Sequence, residues 1–193
     1  MTTTKTESLP ASATLILIDV QEGFAEPYWG ERNNPGAERN IERLLARWRD
    51  SGRPVIHVRH DSVEPGSALR PDAPGNAIKG EATPKSGEPV VGKHVNSAFI
   101  GTDLEARLKA HASDTVVLCG FTTNHCVSTT ARMSGNLGFR TFVLSDSTVA
   151  FAMRSPGPNG RLIPAAEMHE VGLAELNGEF ATILTTDELL ALI

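Results

Sequence analysis

Apolar residues follow two rhythms along the chain. One is a short unbroken run rich in β-branched residues, at 14–20, 55–58, 89–91, 115–119, 141–144 and 181–184. Runs that are apolar at every position predict strands covered on both faces, as in a parallel sheet. The other rhythm is helical. Ala37, Ile41, Leu44, Leu45 and Trp48 fall at i, i+4, i+7, i+8 and i+11, one stripe of a helix, with Asn34 as the predicted N-cap, Pro35 at the first helical position and Gly52 just past the end. Thr102 with Glu105, and Thr185 with Glu188, have capping-box spacing before apolar residues. A third helix is predicted between Asn124 and Gly138, with a small face of Ala131, Ser134, Gly135 and Gly138 that allows close packing on a sheet. A further helix is predicted over 164–177, closed by Gly178. Strands alternating with helices predict an α/β fold with a parallel sheet and right-handed crossovers. Ligand sites of such sheets lie beyond the carboxyl ends of the strands.

Two segments break the rhythm. Residues 60–88 carry Pro65, Pro71, Pro74 and Pro84 without any period, and 146–160 is rich in proline and glycine. Loops of this kind serve as lids, binding loops or interface segments, or simply as solvated excursions.

Composition narrows the class. With 193 residues the chain suits one domain, predicted over 13–193 behind a flexible tail at 1–12. A net charge of −5 argues against a nucleic-acid binder and against a polybasic membrane patch. The longest apolar run near the start is far too short for a membrane span, and the first ten residues are polar, so a cytoplasmic protein is expected. Cys119 and Cys126 are the only cysteines, too few for a disulfide scaffold.

Three strand ends carry reactive groups: Asp19 in LILIDVQEGF, Lys93 in VVGKHVNSAF and Cys126 in VLCGFTTNHCVSTTAR. Taken singly, each has an ordinary use, as a turn cap, a solvated charge or a small buried side chain. With Asn124 as N-cap, however, Cys126 would be the second helical residue. Unpaired N–H groups, the helix dipole and a nearby Lys93 would then all lower its thiol pKa. Asp19 is the carboxylate placed to accept the thiol proton. Cys119, inside VVLC, reads as core.

These segments, followed by MSGNLGFRTFVLSDSTVAF, resemble the isochorismatase-like cysteine hydrolase superfamily, which includes nicotinamidases and other small-amide hydrolases. The likeness runs from Ala13 through the ending LAELNGEFATILTTDEL, and the block GFTTNHCV followed by TAR is its most specific part. The resemblance implies a six-stranded parallel sheet flanked by helices on both faces, a Rossmann-like three-layer sandwich. It implies a catalytic triad of Asp19, Lys93 and Cys126, and oxyanion donors at the backbone N–H groups of Thr122 and Cys126. It also implies a cis peptide between Phe121 and Thr122, Phe24 lining the substrate pocket, and a homo-oligomer, a dimer or tetramer. Further pocket residues are expected among Phe121, Trp29, Asn96 and His125, with Tyr28 beside them.

The chain departs from the nicotinamidase pattern. The metal-binding Asp-x-His pair is missing from VIHVRHDSVEPGS, so no metal and no cofactor are expected, nicotinamide is demoted as substrate, and His60 reads as a capped loop residue. Arg59 and Arg70 are candidates for an anionic substrate group or plain surface charges, and His169 reads as structural. Retention of Cys126 favours hydrolysis of an amide, carbamoyl or ureido C–N bond through a thioester. The alternative is vinyl-ether hydrolysis with Asp19 as general acid and Cys126 a bystander.

Overall fold

The computed structural model describes residues 8–193. Six strands form one sheet: β1 (Thr14–Ile18), β2 (Val55–His60), β3 (Val90–Lys93), β4 (Thr115–Phe121), β5 (Arg140–Val149) and, numbered in chain order, β8 (Thr182–Leu184). Two short strands, β6 (Met153–Arg154) and β7 (Leu162–Ile163), form a separate antiparallel hairpin. The sheet order is β3-β2-β1-β4-β5-β8, and every pairing in it is parallel. The helices are α1 (Ala37–Asp50), α2 (Leu104–Ala110), α3 (Ser128–Asn136), α4 (Ala165–Ala174) and α5 (Thr186–Leu190).

The all-apolar strands are covered on both faces, as their composition requires. Leu15 and Leu17 of β1 join one core with α1 and Leu189 of α5, while Ile16 and Ile18 join the opposite core with Leu104 and Leu108 of α2 and Ala131 of α3. The predicted stripe of α1 is buried to the last member, and Trp48 satisfies its indole by donating to Ala13 O at 3.1 Å.

Local predictions fared unevenly. The box at Thr185 and Glu188 forms in full, closing the N-terminus of α5. At α2 the box does not form: Asp103 stands at the cap, Leu104 N donates to Thr102 Oγ1, and Glu105 pairs with Lys109. Asn34 is not the cap of α1, which starts after Gly36. Asn34 instead takes a φ of +44° and sends its amide across to the carbonyls of Ser145 and Thr148, tying the entry of α1 to β5. Nor is Asn124 a cap. A π-helical turn, Thr123–Val127, precedes α3, and Thr122 leads into it. The 146–160 segment is less open than expected, since β5 runs on to Val149 and the β6–β7 hairpin follows.

Of the predicted tail, residues 1–7 lie outside the described residues. Leu9 is buried, with its N–H on Leu192 O and its carbonyl accepting from Arg53. No helix among the described residues is long and apolar enough to cross a membrane.

The long 60–88 segment is held down at several points. Gln21 donates to His60 O and Asn76 O and accepts from His60 N. Buried Asn76 spreads its amide over His60 O, Asp61 Oδ1 and Leu69 O. At its far end Glu88 takes a two-pronged bond from Arg49 at 2.7 and 2.8 Å and a third contact from His57 at 3.0 Å.

Candidate active site

The carboxyl ends of four adjacent strands, β3-β2-β1-β4, place Lys93, His60, Asp19 and Cys126 together. Lys93 ends β3 and lies in register with His60, which ends β2. Asp19 follows β1 with its N–H on Val58 O, and it adopts a φ of +51°, a left-handed conformation that Asp tolerates better than most residues. Cys126 is brought back toward the sheet by the π-helical turn, whose His125 and Val127 N–H groups both donate to Thr122 O. Thr123 anchors that turn to His169 of α4 at 2.8 Å, the structural role read for His169. The expected cis peptide lies between Phe121 and Thr122.

Close approach of β4 to β1 depends on Gly120. Its φ is +117°, and a Cβ there would stand 2.0 Å from Ile18 O, one residue before Asp19.

At the centre is the ammonium of Lys93. Its Nζ lies 2.7 Å from Asp19 Oδ2, 2.9 Å from His60 Nδ1 and 3.3 Å from Cys126 Sγ. Asp19 and Lys93 are both fully buried at their side chains. The donor atoms of Asp19, His60 and Cys126 lie within 4.8 Å of one another, close enough to hold a cation. Here one ammonium lies within that set, hydrogen-bonded to His60 Nδ1 and Cys126 Sγ and ion-paired with Asp19, so Lys93 supplies the positive charge from within the chain.

His60 is the residue that sequence reasoning undervalued. It is no loop cap but a member of the cluster. The rule that singled out Asp19 and Lys93, a reactive group ending a strand, applied to it equally.

Burial sets the protonation states. It raises the Asp19 carboxyl, against the opposing pull of Lys93. Burial and the Asp19 charge push the Cys126 thiol up to about 12, with Lys93 pulling the other way. A thiolate at rest, expected from a helix N-terminus, is therefore replaced by a thiol. The reason is threefold: the sulfur is buried, Cys126 is not in the first turn of an α-helix, and Asp19 already neutralises the lysine. His60 falls to about 4 through burial and Lys93, so it is neutral near pH 7. Cys119 is wholly buried and its thiol pKa is driven upward, as a core residue's should be.

A cavity of about 120 Å³ opens onto Asp19, His60 and Cys126. Phe24, Trp29, Asn96, Thr122 and His125, all named from sequence, line it, and Leu69 of the long loop closes one side. Asn96 Nδ2 stands 3.6 Å from Cys126 Sγ. Phe121 does not line the cavity. It is fully buried, stacked behind Phe24 at 5.1 Å. Arg59 and Arg70 are occupied by Asp61 and Asp72 and stay outside it. Tyr28 lines two adjoining hollows instead.

The family model described as "Isochorismatase domain" matches residues 13–188. The chain belongs to the isochorismatase family of hydrolases. Among isochorismatase relatives, the family protein YrdC of Bacillus subtilis is 51% identical over 176 residues, covering 91% of this chain and 93% of its own. The crystal structure of an isochorismatase-family hydrolase from Chromobacterium violaceum superposes with a TM-score of 0.91 at 42% identity, covering 96% of this chain and 95% of that one. The maleamate amidohydrolase of Pseudomonas putida is 27% identical over 191 residues, covering 90% of this chain and 83% of its own. As an isochorismatase-family member the chain is a hydrolase, and its six-stranded parallel sheet with helices on both faces is the architecture expected of it.

Proposed function

We propose that this hydrolase cleaves the C–N bond of a small amide, carbamoyl or ureido compound through a thioester on Cys126. The observation that carries this reading is the single ammonium of Lys93, in contact with both a buried carboxylate and the sulfur that opens on the cavity.

The charges favour an internal proton transfer. Asp19 and Lys93 together are neutral. Ionising Cys126 to solvent would leave a bare negative charge in a buried site, whereas handing its proton to Asp19 keeps the total unchanged. A raised carboxyl is a suitable recipient. The Cys126 sulfur then attacks the substrate carbonyl, and the Thr122 and Cys126 backbone N–H groups receive the oxyanion. Collapse breaks the C–N bond, with Asp19 returning its proton to the leaving nitrogen. Asp19 next takes a proton from water, the hydroxide adds to the thioester, and the acid leaves as Cys126 regains its proton from Asp19. The balance is amide plus water giving acid plus ammonia or amine. General-acid help of this kind contributes about 10²–10⁴ in rate.

Vinyl-ether hydrolysis would use Asp19 alone. The seating of Cys126 in the cavity, rather than behind it, favours the thiol route. The test is a panel of small amides and ureas assayed for ammonia release, with isochorismate assayed for pyruvate. Cys126→Ala is expected to lose ammonia release by at least about 10³-fold while melting normally. Full activity in that variant, or pyruvate formation without any amide turnover, overturns the proposal.

A further inference from the structure

His60 has two ring nitrogens with different surroundings. Nδ1 lies 2.9 Å from the Lys93 ammonium, which has hydrogens to give and no lone pair to offer. Nδ1 must therefore be the bare acceptor, and the ring proton of a neutral His60 resides on Nε2. That nitrogen meets no partner among the described residues and is not among their sealed, unsatisfied atoms. The ring borders both the 120 Å³ cavity and the adjoining hollow of about 490 Å³ walled by residues of the long loop. An N–H of fixed tautomer, held by a buried ion pair and open to the cavity beside the sulfur, is a donor awaiting an acceptor.

The lining charges restrict what that acceptor can be. Among the described residues, no lysine or arginine lines the cavity or either neighbouring hollow. The ammonium at the centre is paired with Asp19, and Glu64 lines the larger hollow. A carboxylate entering here would find the one ammonium already paired with Asp19 and would give up its hydration with no spare positive charge to replace it. An uncharged carbonyl oxygen costs far less and is satisfied by one neutral N–H.

We propose that His60 is a substrate-anchoring residue whose Nε2–H, oriented by Lys93 through Nδ1, binds a carbonyl oxygen and selects uncharged amides over those bearing a carboxylate. This rests on the amide reading above and narrows its substrate class.

The tautomer can be read in the full chain by long-range ¹H–¹⁵N spectra of the histidine rings at pH 7. His60 is expected to be protonated at Nε2 and bare at Nδ1. In the Cys126→Ala chain, which cannot form a thioester, added acetamide is expected to shift the Nε2 resonance while acetate at equal concentration leaves it in place. A ring protonated at Nδ1, or acetate acting as strongly as acetamide, overturns the proposal.

A second arm measures alkylation of Cys126 by iodoacetamide, with buried Cys119 as internal control. His60→Asn, whose side-chain oxygen stands in for Nδ1 and keeps an acceptor for Lys93, should slow it about fivefold to tenfold, the worth of one neutral hydrogen bond. Equal rates in both chains count against His60. A Cys126 inert in both counts against the thiol nucleophile instead, and the ring spectra then still decide the role of His60.

Discussion

At the scale of single residues, Lys93 decides most. Its ammonium is the positive charge in contact with the Asp19–His60–Cys126 cluster, sealed from solvent at a salt bridge of 2.7 Å. Removing one partner of such a pair strands the other, at a cost of about 3–5 kcal/mol. Lys93→Ala is therefore expected to lose stability on that order in urea unfolding, besides losing activity. Asp19→Asn combined with Lys93→Met should lose much less, because no charge is left uncompensated. Equal losses in the single and double variants would show that the pair does not act as a unit. The same residue explains why the resting state of Cys126 could not be read from the chain. A helix dipole and a lysine both argue for a thiolate, and the burial of the sulfur, the π-helical turn and the contact between that lysine and Asp19 together cancel the argument.

At the scale of elements, what was legible followed from periodicity. The α1 stripe announced itself because five apolar side chains at helical spacing need one buried face, and the strand runs did so because nothing polar interrupts them. Caps were harder. Thr185 and Glu188 form their box, yet Asn34 prefers two carbonyls of β5, a partner more than a hundred residues away. The π-helical turn was invisible, since one extra residue in a turn leaves no mark on the apolar pattern. His60 was hidden for a related reason: it ends a strand otherwise read for its apolar content, and its neighbour Lys93 is set by pairing between strands. Gly120 is the joint on which this arrangement depends. Gly120→Ala combines a disfavoured φ with a methyl group 2.0 Å from Ile18 O, so the ends of β1 and β4 must part. Strain and overpacking together predict a loss of about 2–4 kcal/mol. Activity should fall further than stability alone explains, because Asp19 moves with Ile18. A variant as stable and active as the parent would refute this reading of the strand contact.

At the scale of the whole molecule, acid is expected to loosen the fold in two stages. His60 has a folded pKa of about 4 against an ordinary value of 6.5. Between those values the unfolded chain binds more protons, so stability drops as pH falls through that window. Glu88, held down to about 2 by Arg49 first of all, extends the decline from 4.5 downward, since its contribution is fully present above 4.5 and is lost as pH falls through its folded pKa. Asp19, raised by burial, works in the opposite sense. Melting temperatures measured from pH 7 to pH 3 should fall throughout, and Glu88→Gln should flatten the lower stage. A midpoint independent of pH below 4.5 in the parent would contradict the Glu88 assignment.

Glu88 also secures one end of the long segment that Gln21 and Asn76 secure at the other. A segment tethered this way behaves as masonry rather than as a door. The opening beside Leu69 is bordered by that tethered segment, and its width is expected to limit which molecules reach Cys126. Broader tolerance would then come from whittling Leu69 or Trp29, not from loosening the segment that carries them.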